Sequence, residues 1–179
     1  MWLNPPEKLG YWLGFILLLY FATIFIIDLE HRLILHPTSW FGALLALVAG
    51  LQKRGALPTL TGALAGFAIM YSLYLVGVLF AKARTRRRLA AGLAADDEEA
   101  LGFGDVILAT ILGFALGWPV IAFGLFLGIL LGGVISILLI GGLAVSGQLK
   151  KKAWDVFLPY GIYFLISATL LIYFPGLFK

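Results

Sequence analysis

The chain has 179 residues, of which 62% are hydrophobic and only 12% charged, with a formal net charge of +4 and a mean hydropathy of +1.04. A soluble domain of this size needs a far more polar surface, so most of this one must face lipid or other apolar helices. No cysteine is present, which excludes a disulfide framework, a thiolate zinc site and a cysteine nucleophile.

Six apolar stretches follow one another: Leu9–Ile27, Leu33–Leu51, Leu57–Ala81, Asp105–Leu116, Pro119–Val145 and Val156–Phe174. Each is long enough, or nearly so, to cross about 30 Å of hydrocarbon. None shows strand alternation, and in lipid only helices satisfy the backbone without closing a barrel. The expected fold is an all-α polytopic bundle of about six transmembrane helices, with residues 1–179 forming one membrane-embedded domain. The first stretch has Lys8 ahead of it, as a secretory signal would. It ends in Ile27-Asp28-Leu29-Glu30 without a small-residue cleavage site, so it reads as a retained helix. The fourth stretch is short, and Gly117-Trp118-Pro119 after it reads as a tight hairpin near one membrane face. Glycines recur four apart at Gly62 and Gly66, at Gly113 and Gly117, and at Gly124, Gly128 and Gly132. That spacing is expected to let helix backbones approach closely.

The basic residues lie between the apolar runs, where they read as topology signals and not as a nucleic-acid footprint. Arg32, the cluster Lys82, Arg84, Arg86, Arg87 and Arg88, and the run Lys150–Lys152 fall on one side of the membrane. Lys8, Lys53, Arg54 and Lys179 fall on the other, nine against four. The richer side is expected to be cytoplasmic, with both termini outside. The Asp28 end of the first helix and the loop before Asp105 then share the cytoplasmic side.

Of nine acidic residues, most stand where water is expected: Glu7, Asp155, and the run Asp96, Asp97, Glu98 and Glu99. Asp28, Glu30 and Asp105 instead sit at the ends of apolar stretches. A carboxylate near the bilayer centre costs about 2.5–3.5 kcal/mol on insertion scales, and less near the interface. Each acid taken singly has an ordinary explanation, since an aspartate favours the start of a helix and tolerates its end. Asp105, however, closes the string Gly102-Phe103-Gly104-Asp105, in which two glycines give the backbone unusual freedom. A dinucleotide fingerprint is excluded, because position 107 is Ile107 and no strand precedes.

Gly102-Phe103-Gly104-Asp105-Val106, followed by an alanine- and leucine-rich helix, resembles the GxGD motif of the type IV prepilin peptidases. This membrane family includes the archaeal preflagellin peptidases. Its first motif is an aspartate at a cytoplasmic helix end, followed by an acidic residue, a basic one and a proline. Asp28, Glu30, His31, Arg32 and Pro37 are similar to it, with the proline arriving somewhat later. Leu158-Pro159-Tyr160-Gly161 resembles the motif that opens the family's last helix. The resemblance runs from the first helix to the last.

It implies an aspartyl endopeptidase of the cell membrane, with Asp28 and Asp105 as the catalytic pair and its site toward the cytoplasm. Gly102, Gly104, Pro37, Pro159 and Gly161 would support the motifs. The implied substrate is a prepilin-like or pseudopilin protein with a basic leader, and the setting is the lipid bilayer. No cofactor and no metal are implied. The larger members also carry a cysteine-rich segment and methylate the new N-terminus. Without cysteine, this chain is expected to be the compact form that cleaves and does not methylate.

Two carboxylates sharing a site do not comfortably both ionise, so one can act as base while the other holds a proton. Their titration belongs to the pair. His31, three residues after Asp28, reads as an interfacial histidine before a metal ligand, and Glu30 as a solvated helix-end acid. The Asp96–Glu99 run reads as a wet loop, or more sharply as a patch that steers a basic leader. Two other classes stay open. In one, a small ion-coupled transporter or channel component uses Asp28 and Asp105 as a proton relay. In the other, a scaffold of a pilus or secretion assembly needs neither aspartate. The oligomeric state is left open.

Overall fold

The computed structural model describes residues 10–31, 36–90, 102–146 and 160–178. Among them the chain is helical throughout: α1 (Tyr11–His31), α2 (His36–Arg54), α3 (Ala56–Ala90), α4 (Phe103–Leu116), α5 (Val120–Val145) and α6 (Tyr160–Tyr173), closed by a short 3-10 turn at Pro175–Phe178. The protein is an all-α membrane protein. Three helices, α1, α3 and α5, are long and apolar enough to cross a bilayer, and α4 and α6 are shorter apolar helices. Large side chains such as Ile137, Leu138, Val76 and Leu79 face outward on α5 and α3. In lipid such a surface carries no hydrophobic penalty.

The short α4 stands at the centre. Val106, Leu108, Ala109, Ile111, Leu112, Ala115 and Leu116 are all buried, so it is apolar and enclosed on nearly every side. Its fourteen residues rise only about 21 Å, less than the ~30 Å of hydrocarbon. Its interior backbone is satisfied by its own helical hydrogen bonds, and its burial among the other helices means that it need not span the lipid by itself. Helix α3 packs along it more extensively than any other pair, and α2, α5 and α6 also touch it.

The glycine rows explain these approaches. A side chain at Gly62 would run into the backbone of Gly113 and Gly117, and one at Gly66 into the carbonyl of Ala109. As the numbers rise on α3 they fall on α4, so the two helices are antiparallel. Gly124, Gly128 and Gly132 on α5 receive Leu171, Phe164 and Tyr163 of α6. Such small residues let backbones close to packing distance where no water drives association. Gly117 turns the chain between α4 and α5 with a positive φ of 66°, which favours glycine. The Trp118 N–H there donates to the Pro58 carbonyl at 2.9 Å.

Two boundaries differ from the sequence expectation. Helix α3 does not stop near Ala81 but runs to Ala90, so the Lys82–Leu101 connection is helical in its first part. Alanine, leucine, lysine and arginine are good helix formers, and polarity alone does not end a helix. At about 52 Å, its 35 residues outrun the hydrocarbon and carry Arg84–Arg88 beyond it. The second helix starts at His36, slightly inside the apolar run.

Candidate active site

In α1, the buried positions Gly14, Leu17, Phe21, Ile24 and Asp28 repeat at intervals of three and four, which draws one stripe along a helix. Asp28 is the last member of that stripe and is 6% exposed, whereas Glu30 lies off it and is exposed. The burial of Asp28 therefore follows from its phase in the helix: the face that builds the core ends in a carboxylate.

The GxGD string forms the start of α4. Gly102 is its N-cap, and the Asp105 N–H donates to the Gly102 carbonyl at 3.1 Å. The Asp105 side chain accepts from the Gly102 N–H, which is the return half of a capping box made by an acid at the third helical position. The glycine at 102 is not needed for backbone conformation, because its φ is −76° and ψ 145°, values open to any residue. Phe103, between the glycines, sets its ring edge-on to Tyr74 of α3 at 5.7 Å between centroids, fixing the level at which α4 begins.

A third helix end closes the site. A Cβ added to Gly161, in the first turn of α6, would lie 2.6 Å from Asp28 Oδ2 and 3.3 Å from Leu108 Cδ2. Leu108 follows Asp105 by three residues and so shares its face of α4. The Asp28 carboxylate thus faces both the start of α6 and the start of α4. The Ile162 N–H is directed at Asp28 as a donor. Asp28 is also near enough to Asp105 for the two negative charges to repel. Two helix N-termini, each carrying partial positive charge, converge on two buried or half-buried carboxylates.

The structure therefore brings together Asp28, Asp105, Gly102 and Gly161 at one end of the bundle. Pro37 lies in the first turn of α2, with its side chain outside the described set, as is that of His31. Pro159 and the run Asp96, Asp97, Glu98 and Glu99 lie outside the described residues. Among the described residues no group of three or more His, Asp or Glu is placed to hold a metal ion. The Ile162 amide was not legible in the sequence, because a backbone donor has no residue signature.

Comparison with family models gives a match over residues 12–137 to the type IV leader peptidase family. The chain belongs to that family. The matched stretch takes in α1 to α4 and much of α5, and hence both Asp28 and the GxGD string, and it ends before α6. No match was found among curated proteins or among solved structures. Membership makes the protein a peptidase, acting on a protein substrate in a multi-pass membrane setting.

Proposed function

We propose that the protein is an aspartyl endopeptidase that removes basic leader peptides from type IV prepilin-like or pseudopilin substrates at the cytoplasmic face of the membrane. The observation that carries this is the convergence of Asp28 and Asp105, from helices far apart in sequence, at the start of α6. In this mechanism the ionised carboxylate takes a proton from a water molecule as the water oxygen bonds to the scissile carbonyl carbon. The protonated partner gives its proton to the developing oxyanion. In the collapse of the tetrahedral diol the C–N bond breaks, and the aspartic acid that took the water's proton gives it to the leaving amine. One diol hydroxyl returns its proton to the other carboxylate as the new C-terminal acid forms, so the pair again shares one proton. The helix N-termini aimed at the site favour the single negative charge that the pair retains.

A proton relay calls for acids near mid-helix lining a path through the membrane. Here both acids sit at helix ends on one side of the bundle, which favours the hydrolytic use. Cleavage of a leader-bearing substrate by the purified protein is expected to persist with a strong chelator and with serine- and thiol-directed reagents. Loss of activity under chelation would contradict an aspartyl mechanism.

The cytoplasmic placement rests on the basic end of α3. Tyr74 meets Phe103 beside the aspartates, and the helix then continues past them to Arg84–Arg88. Positive residues flanking a span mark the cytoplasmic side. Reporter fusions at Arg88 and Lys179 are expected to report opposite sides of the membrane. Fusions landing on the same side would contradict the six-span arrangement.

A further inference from the structure

We propose that Gly161 and the Ile162 amide position Asp28, the missing Cβ of Gly161 being the space its carboxylate occupies. The inference rests on Asp28 belonging to the catalytic pair, and it adds the residues that hold it in place.

The glycines of α5 and α6 meet different neighbours. Side chains added at Gly124, Gly128 and Gly132 would press on apolar or aromatic side chains, as helix packing requires. One added at Gly161 would press on a carboxylate oxygen, at 2.6 Å from Asp28 Oδ2, and next on Leu108 at 3.3 Å. Something must move, and the surroundings decide what. Leu108 is fully buried. Helix α6 is held along its length: the Ser167 hydroxyl donates to the Gly124 carbonyl at 2.8 Å. Buried Phe164 fills the notch at Gly128, and the Tyr173 hydroxyl donates to the Gly14 carbonyl at 2.6 Å. The group free to yield is the Asp28 carboxylate, which ends a side chain with only two torsions.

A methyl group at position 161 therefore turns the carboxylate away from its place while α6 stays docked. Misplacing a reacting group by about 1 Å can cost a hundredfold in rate. The Ile162 N–H is directed at the same carboxylate, of which Oδ2, the oxygen that faces Gly161, has no hydrogen-bond partner. That N–H lies in the first turn of α6, where an N–H has no intrahelical acceptor and proline is tolerated.

The test compares purified Gly161→Ala and Ile162→Pro with the parent protein, using cleavage kinetics and thermal melting in the same detergent. Gly133→Ala serves as control, since a Cβ there meets nothing within 4 Å. Gly161→Ala is expected to lower kcat by about a hundredfold, with KM and Tm close to the parent's. Ile162→Pro should likewise lower kcat and spare KM. Because it also removes a buried side chain, it is read beside Ile162→Ala, which keeps the amide and should leave kcat close to the parent's. The test then stays decisive if the Gly161 variant does not fold. Parent-like kcat in a folded Gly161→Ala protein would overturn the proposal, as would a raised KM with kcat preserved. Asp28→Asn is run alongside: if that variant cleaves normally, the catalytic pair itself is wrong. Loss with Asp28→Asn but none with Gly161→Ala or Ile162→Pro would remove only the positioning role.

Discussion

Asp28→Asn and Asp105→Asn are each expected to reduce cleavage by about a thousandfold or more, leaving the protein folded. Amide and carboxylate have the same shape, so the substitution removes the ionisable group and almost nothing else. A positioned acid or base is worth about a hundredfold to ten-thousandfold. Here each aspartate depends on the other for its protonation state. The double variant should then be little worse than either single one, because groups that act as a unit lose their effect together. Turnover of a leader-bearing substrate, measured beside thermal melting, checks this. Removing a buried carboxylate also removes a desolvation cost, so melting temperatures should hold or rise slightly. Glu30→Gln, at an exposed position off the buried stripe, should be far milder.

The second large effect is on stability. Gly113→Ala is expected to destabilise the bundle by about 2–3 kcal/mol, the upper range for overpacking. The added methyl would strike the carbonyl of Gly62 and come within 2.7 Å of Ala63 Cα. Both are backbone atoms of α3 and neither can rotate aside, so the helices must separate along their most extensive contact. Gly124→Ala offers the comparison. Its Cβ meets only Leu116 Cδ1 at 3.0 Å and Leu171 Cδ1 at 3.3 Å, ends of flexible side chains. Its cost should stay below about 1 kcal/mol. Melting in detergent should separate the two variants by several degrees, and equal melting temperatures would contradict the assigned α3–α4 contact. Because α4 also carries Asp105, Gly113→Ala should lose activity as well as stability.

Much of this architecture is legible in the residues. The glycine rows mark the helix contacts that the structure makes, whereas α1 is apolar on every side, so which of its faces is buried, and that this face ends at Asp28, is not written in its residues. The all-α membrane fold follows from composition and from the length of the apolar runs. Other features were misread for identifiable reasons. The apolar run ends at Ala81 and marks only the stretch that lipid can cover; Lys82–Ala90, made largely of strong helix formers, extends α3 beyond it. Gly102 suggested an unusual backbone, and its dihedrals are ordinary; what Asp105 uses there is the N–H. Gly161 was visible only as part of a resemblance. Its contact with Asp28 joins the first helix to the last, and no local pattern records such a pair. The Ile162 amide left no trace for the same reason, compounded by its being backbone.

The central claim is that one water-activating pair, Asp28 with Asp105, cuts a leader from its substrate. Purified parent protein and its Asp105→Asn variant, each incubated with a prepilin bearing a basic leader, can be compared by mass spectrometry of the products. The expected result is a single cut directly after the leader in the parent sample and intact substrate with the variant. The same product formed at a parent-like rate by Asp105→Asn would contradict it.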